Sequence, residues 1–582
     1  MAQRKGVTLV LLLVIGATVF SLSLVLGAYA LMSVEPAVPD RATIVLRIDG
    51  LAEGSAGSVA NLFTAERSLT LDEVRESLAR AKADPRVASV IIRPGGLPAA
   101  YWAKIQDVRD AILDFRQSGK PAFAYLEYGG QREYYLATAC DQVVLMPNSP
   151  LELTGLVSYE LFLRGALDRI GAYPDMHHVG EYKTAANQLT EQTFTAEHRE
   201  MSESLNRDLF EQLVRGVAEG RNKTEAEVRA LVDQGPFLAE AARDAGLVDA
   251  VVYEDQLGDL ITGASDELRL LEGVSYARGR STSLGFGRGS RIGVIHVAGT
   301  IASGRSGVDP IFGGVAGSDS VIEQIRRARN DASLRATILR IDSPGGSTIA
   351  SDVIWRELAV TREEHPDRPL VVSMSDLAAS GGYYIAMPAD AIVAQPGTLT
   401  GSIGIYGGKI LTGGVYEKLG MNIETVSAGR FADMNSPVRP YDEAEQAKLQ
   451  EQLLAFYEQF VRKVAESRQM SPEQVEALAQ GRVWTGRQAK EIGLVDELGG
   501  FAAAVALAKQ RADLPADAEV ELIEYLPRRG VFELLLEGFA RVGQGRLPAV
   551  APELVRALAP LAHPAGLFRR GEALALMPFP GR

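Results

Sequence analysis

The chain carries one domain twice, and the two copies have kept different members of what reads as a single reactive pair. Gly429-Arg430-Phe431-Ala432 lies over Gly180-Glu181-Tyr182-Lys183 at an offset of 249 residues, and Tyr383-Tyr384-Ile385 lies over Tyr134-Tyr135-Leu136 at the same offset. In that register Ser380 faces Gln131 and Lys183 faces Ala432, so one copy holds a serine without the lysine and the other the lysine without the serine. A repeat of this length fixes the architecture before local propensity is consulted, because each unit must be built the same way.

The matched segments give the fold class. Ala42 to Asp49 and Ile292 to Ala298 read as opening strands, each ending at a glycine (Gly50, Gly299). Amphipathic helices are expected at Leu71 to Ala83 and Ser320 to Asn330, followed by apolar strands at Val87 to Ile92 and Leu334 to Ile341. Each second strand runs into Pro-Gly-Gly, at Pro94 and Pro344. Strand, helix, strand and a glycine turn make the βαβ signature of an α/β domain with a largely parallel sheet. The correspondence continues through Ala218-Glu219-Gly220-Arg221 and Ala465-Glu466-Ser467-Arg468 to Gly246-Leu247-Val248-Asp249 and Gly493-Leu494-Val495-Asp496. The first copy is therefore assigned to residues 40–263 and the second to 292–514, with a linker at 264–291 rich in Gly, Ser and Arg. Residues 515–582 form a tail with one amphipathic piece, Val531 to Val542.

Bulk composition removes several function classes. The net charge of −14 argues against nucleic acid, which needs clustered Lys and Arg. The single cysteine, Cys140, rules out an internal disulfide and cysteine-only zinc sites and reads as a small buried residue. The six histidines are scattered, so no metal or cofactor is expected. At the N-terminus, Gly6 to Val34 contains no charge and follows Arg4-Lys5. That run exceeds the ~20 residues a spanning helix needs, and the basic pair favours a cytoplasmic start for residues 1–5. Residues 6–34 are therefore expected to be a transmembrane anchor, with everything beyond them outside the cytoplasm. The rival is a secretory leader cut after Ala28-Tyr29-Ala30, but a leader's apolar core is typically ~7–15 residues.

The chemistry-bearing segments sit where strands end. Asp342-Ser343-Pro344-Gly345-Gly346 closes an apolar strand, and glycines at such a turn let amide N–H groups point into a cavity; Pro-Gly-Gly is equally a plain turn. Ser380, in Ala378-Ala379-Ser380-Gly381-Gly382, follows the strand Leu370 to Met374 and opens a helical stretch, where it serves either as a nucleophile or as a simple N-cap. A serine nucleophile needs a base. His296 lies mid-strand and His365 in a charged loop, so neither recommends itself. A lysine can serve if its amine is neutral, which costs roughly 4–5 kcal/mol at pH 7 from a reference pKa of ~10.4. Burial depresses such a pKa by up to about 3–5 units, enough to cover that cost. Lys183 lies 52 residues after the position of the lost serine, and Ala432 lies 52 residues after Ser380, so the spacing matches an ancestral Ser/Lys pair split between the copies. Lys409, in Gly407-Gly408-Lys409, is the rival base and is expected on an exposed loop.

Taken together, Asp-Ser-Pro-Gly-Gly, Ala-Ala-Ser-Gly-Gly-Tyr-Tyr, Thr400-Gly401-Ser402-Ile403-Gly404 and Gly-Glu-Tyr-Lys-Thr resemble the signal peptide peptidase A (protease IV) family in its long, two-copy, membrane-anchored form. The resemblance implies two tandem Clp protease/crotonase-like domains behind an N-terminal transmembrane helix. It implies Ser380 as nucleophile, Lys183 as general base, Ser402 as the group that orients the lysine, and the backbone N–H groups of Gly346 and Gly381 as the oxyanion hole. It further implies a bowl-shaped homotetramer at the cell inner membrane, facing the periplasm, acting on signal peptides already released from their precursors. Ala185-Ala186-Asn187-Gln188 departs from the family pattern and leaves substrate contacts there open. The pair is expected to meet within one chain. Two rival readings are an acyl-CoA enzyme on the same fold, which does not account for the split Ser/Lys pair, and an inactive membrane scaffold derived from a protease, against which the intact Ser380, Lys183 and Ser402 argue.

Overall fold

The computed structural model describes residues 37–53, 68–97, 101–263, 268–279, 289–309, 313–526 and 573–577. The expected anchor at 6–34 and the amphipathic piece at 531–542 lie outside the described residues. Among the described residues no helix is long and apolar enough to cross a membrane.

The first copy contributes β1 (Ala42–Asp49), β2 (Val87–Gly95), β3 (Ala122–Leu126), β4 (Gln142–Leu145), β5 (Tyr173–Val179), β6 (Ala250–Val251) and β7 (Arg269–Glu272). All of these except β5 form one sheet, in the order β6-β4-β3-β2-β1-β7, and every pairing in it is parallel. Helix Leu71–Ala83 is closed by a capping box between Thr70 and Glu73 and buries Leu71, Val74, Leu78 and Ala81 at helical spacing. The second copy repeats this plan with β8 (Ser290–Ala298), β9 (Thr300–Ala302), β10 (Gly307–Asp309), β11 (Gly313–Gly317), β12 (Leu334–Ser343), β13 (Gly345–Ser347), β14 (Leu370–Ala379), β15 (Ala391–Ala394) and β16 (Leu399–Gly401). It continues through β17 (Ile405–Leu411), β18 (Val483–Thr485), β19 (Glu497–Leu498), β20 (Val520–Tyr525) and β21 (Leu574–Leu576). Its main sheet runs β18-β16-β14-β12-β8-β20, with β15 on β14. The central strands are apolar on both faces because helices cover both sides of a parallel sheet.

The differences from the expected boundaries have local causes. β14 runs on past Met374 to Ala379 because Leu377, Ala378 and Ala379 pair with Leu399, Thr400 and Gly401 of β16, a partnership that strand propensity does not reveal. The helix expected from Ser320 begins at Ser318. Part of the stretch read as linker belongs to the first copy: β7 pairs with β1, and Tyr276 is buried where the Arg80 guanidinium stacks 4.6 Å from its ring. Within the tail, β20 lies parallel to β8.

A further sheet of seven strands, β10-β11-β9-β13-β21-β17-β5, belongs to neither copy alone. Its edge strand β5 comes from the first copy and runs antiparallel to β17 of the second, from Val179 opposite Ile405 to Tyr173 opposite Leu411. The copies also share buried charges. Arg340 of β12 donates to Glu53 (2.9 Å) and Asp107 (3.0 Å) of the first copy and to Ser373 and Ser375 of its own. Helix Trp102–Arg116 has no side-chain cap of its own; Asp376 of the second copy accepts from its Tyr101 N–H (3.1 Å) and Lys104 N–H (2.9 Å). Removing one member of a buried ion pair costs about 3–5 kcal/mol because the partner is left uncompensated. Arg340→Ala, which strands both Glu53 and Asp107, should lower stability by about that amount in equilibrium urea unfolding.

Candidate active site

Ser380 stands at the sharp turn between β14 and helix Gly381–Tyr384. Its backbone has φ +55° and ψ −114°, in the half of φ space that a non-glycine residue avoids at a cost of order 1–3 kcal/mol. The conformation is held from both sides: Ser380 N–H donates to Gly401 O (2.7 Å), and its carbonyl accepts from Tyr384 N–H (2.8 Å). The side chain makes no capping hydrogen bond, so the N-cap reading is not realised; the hydroxyl is fully buried and turned to another partner.

That partner is Lys183. Once β5 is fixed on β17, the chain leaves it through Gly180 and docks on the loop at Gln480-Gly481 of the second copy. Tyr182 N–H donates to Gln480 O (2.8 Å) and Glu181 N–H to Gln480 Oε1 (3.2 Å). Gly481 has φ +79°, and a Cβ there would stand 2.5 Å from the N, Cα and Cβ of Lys183. Only glycine permits the two backbones this approach. The Lys183 amine is 0% exposed and lies 2.8 Å from Ser380 Oγ, 3.0 Å from Ser402 Oγ and 3.2 Å from Ser402 O. These are neutral oxygens, and burial alone holds the amine's pKa well below the usual lysine value. Ser402 is itself held at φ +51° by its N–H bond to Arg482 O (2.7 Å).

The two glycines singled out as oxyanion donors are neighbours. A Cβ placed on Gly381 would lie 3.1 Å from Gly346 N, and both residues line the floor beside the Ser380 turn. Their loop is braced across the copies: Lys104 donates to Asp342 (2.7 Å), whose other oxygen accepts from Leu377 N–H (3.2 Å). Burial works against the Lys104 charge, but Asp342, Asp376 and Glu53 hold its pKa above the ordinary lysine value. Burial, with Asp342 nearby, pushes the Asp376 carboxyl up to about 6 against the pull of Lys104. Sequence reasoning gave Lys104, Asp376 and Gly481 no role. The repeat carries no mark of them, because each works through a partner in the other copy.

The rival base, Lys409, does not lie on an exposed loop. It sits within β17, 8% exposed, donating to Met434 O (2.7 Å) with its amine 4.0 Å from the Tyr441 ring centre. The two glycines before it are strand residues paired with β5, and a Cβ on Gly408 would collide with Asp175 and Met176, so they do not mark a loop. Cys140 is buried, its thiol pushed up to about 12 by that burial. Glu53, Asp72 and His296 bring ligand-type atoms within 4.8 Å of one another, but Arg340 and Arg75 already engage the two carboxylates. At the repeat position of Ser380, the Gln131 side-chain oxygen accepts from Thr154 N–H (3.2 Å) and Gly155 N–H (2.9 Å). Ala432, at the repeat position of Lys183, is exposed.

Residues 114–265 and 362–515 match peptidase family S49, one region in each copy. The chain is 35% identical over 463 residues to the chloroplastic serine protease SPPA of Arabidopsis thaliana, covering 78% of this chain and 68% of that protein. It is 32% identical to Protease 4 of Salmonella typhi, covering 84% of this chain and 79% of that protein. Among solved structures, ClpP1 from Listeria monocytogenes matches with a TM-score of 0.22 at 16% identity, over 36% of this chain and 91% of its own. With an S49 region in each half and relatives matched over most of its length, the chain belongs to peptidase family S49 and is a serine peptidase.

Proposed function

We propose that this peptidase is a membrane-anchored endopeptidase that degrades signal peptides after their release, through an acyl-enzyme on Ser380 with Lys183 as general base. The observation that carries the proposal is the 2.8 Å approach of Lys183 Nζ to Ser380 Oγ in a fully buried setting. A neutral amine has two hydrogens and one lone pair. With Ser402 O and Ser402 Oγ accepting the hydrogens, the lone pair faces the Ser380 hydroxyl. The serine oxygen attacks a peptide carbonyl as its proton passes to Lys183. The developing oxyanion is received by the amides of Gly346 and Gly381, and the ammonium then protonates the leaving amine. Water, activated by the same amine, releases the acyl group. No cofactor is required for any of these steps.

An apolar substrate suits the walls. Met201, Leu399, Val483 and half-buried Tyr182 cluster beside Ala379, while Ala186, Tyr406 and Met176 form a second patch. The anchor at residues 6–34 would hold this cleft on the outer side of the inner membrane, where released signal peptides lie in the bilayer. A homotetramer is supported by edges that the chain leaves open. Residues 422–428 occupy the repeat position of β5 and are exposed, with Val426 at 101%; residues 156–162 occupy that of β17 and expose Val157, Tyr159 and Leu161. Gly429 keeps the φ of +104° found at Gly180, yet lacks the close backbone contact that Gln480 gives Gly180. Each open edge complements the other, so head-to-tail joining repeats the internal junction and closes a ring. The junction between chains would bring together Gln131 and Ala432 and be inert.

Four outcomes follow. A fluorophosphonate should label the protein, labelling should vanish in Ser380→Ala and fall at least ~100-fold in Lys183→Ala, and Lys183→Arg should stay inactive because guanidinium cannot serve as a base. Because the base works only when neutral and its pKa is depressed, the labelling rate should climb with pH and level off below the ~10.4 of free lysine; a flat profile from pH 5 to 9 contradicts a lysine base. Gly481→Ala, which pushes on the Lys183 backbone, should lower kcat by about 100-fold with KM little changed. Val426→Asp should turn the assembly into monomers in sedimentation velocity and leave the within-chain pair intact.

A further inference from the structure

One arginine holds groups on both sides of the buried amine. Arg482 follows the Gln480-Gly481 dock and leads into β18. Its carbonyl accepts the Ser402 N–H (2.7 Å), so its main chain places the residue that accepts from Lys183. Its guanidinium lies over the Tyr182 ring (4.8 Å from the ring centre) and the Trp484 ring (4.4 Å). Tyr182 immediately precedes Lys183 and packs beside Ala379, the residue before Ser380. Solvent is one residue away there: Glu181 is exposed and Tyr182 half-buried, while Lys183 is fully buried. Trp484 is fixed by its indole N–H bond to Leu478 O (3.1 Å). The guanidinium is held from the first copy, donating to both carboxylate oxygens of Glu200 (2.5 and 2.9 Å). Glu200 stands on helix Ala196–Arg221, which sends Met201, Ser204 and Asp208 to the same seam at the spacing of one helix face. They accept from Val483 N–H (3.2 Å, at Sδ), the Gln488 amide (3.2 Å) and the Arg487 guanidinium (2.7 Å).

We infer that Arg482 is a positioning residue for the reaction: anchored by Glu200, it pins Tyr182 over the Lys183 pocket and keeps water from the amine. The inference deepens the reading of Lys183 as general base and rests on it. A planar guanidinium suits the task, because it stacks on aromatic faces and meets a carboxylate through two parallel bonds. The Glu200 side chain is 52% exposed, so the ion pair adds little to folding; its effect lies in where it holds the Tyr182 ring. The Arg482 bonds hold the Glu200 carboxyl below its usual range, so the pair stays charged wherever the amine is neutral. The other ionisable groups around this corner are Glu181 and Tyr182 on the base's own loop, Glu476, which accepts from Gln480, and Arg207, further along the Glu200 helix. Without the pin, water reaches the amine past Tyr182. A solvated amine holds its proton more tightly, so less of it is neutral at pH 7. Ser380 and the oxyanion donors are untouched by that change, and the loss disappears once the pH is high enough to strip the proton.

The test uses the full-length protein and the rate of fluorophosphonate labelling at Ser380 from pH 6 to 10. Arg482→Met keeps an unbranched stem and removes the planar cation. Its labelling should be slower by about tenfold at pH 7 and come within about twofold of wild type at pH 10, since below its pKa a base loses neutral fraction tenfold for each unit that the pKa rises. Arg482→Lys should follow Arg482→Met, because an ammonium neither stacks flat on a ring nor pairs through two parallel bonds. Glu200→Gln, changed on an exposed helix face, should show the same pH signature at about threefold, and it carries the test if Arg482→Met does not fold. On an added apolar fluorogenic peptide, kcat should fall in step with labelling. A slowing that is equal at pH 7 and pH 10 marks a merely structural role and overturns the inference, as does wild-type behaviour in Arg482→Lys. A wild-type labelling rate that does not change with pH tells instead against Lys183 as the base, which separates the two failures.

Discussion

The structure depends on keeping one lysine amine dry without giving it a carboxylate. Lys183 is fully buried, and its polar contacts are to Ser380 and Ser402. Holding such an amine neutral at pH 7 costs roughly 4–5 kcal/mol relative to a solvated lysine, so the fold must supply that much elsewhere. It does so at the junction of the two copies. The antiparallel β5–β17 pairing and the Gln480-Gly481 dock hold Lys183 in place from the other copy's side, and the Arg340, Glu53 and Asp107 cluster ties the two copies together. Positive φ at Ser380 and Ser402 adds local strain that the same packing over-determines. An amine enclosed this way is inseparable from the interface that dehydrates it.

This explains why neither copy could keep the site alone. β5 and the loop after it reach out of the first copy, and the surface that receives them belongs to the second. The lysine of the first copy therefore meets the serine of the second, and the two copies hold a single such pair between them. At the repeat position of Ser380, Gln131 is structural, tying down the Thr154-Gly155 loop.

Much of this was legible in the sequence, and what was not has physical reasons. The repeat exposed Ser380, Lys183 and the two-copy α/β plan because apolar strands and glycine turns recur in register. The extension of β14 to Ala379 was hidden because it comes from pairing with β16 rather than from residue type. Lys409 was misread because Gly407 and Gly408, which signal a loop by composition, here lie in a strand paired with β5, whose backbone comes too close to Gly408 for a side chain. Asp376 escaped notice because its task, capping helix Trp102–Arg116 of the other copy, joins residues 272 and 275 positions apart. The C-terminal strand carries no more pattern than many short apolar runs, and its place between β13 and β17 is set by pairing with both.

The charges at the junction also discriminate between partners. Helix Trp102–Arg116 brings Lys104 to a face bearing Asp342 and Asp376. Without Lys104 that face would hold Asp342 and Asp376 with no cation between them in a desolvated seam, and charge left unpaired in this way costs several kcal/mol. A surface that brings no cation to this point is therefore disfavoured as a partner. The helix that supplies the cation is also the one that Asp376 caps, so charge and register are set by the same contact.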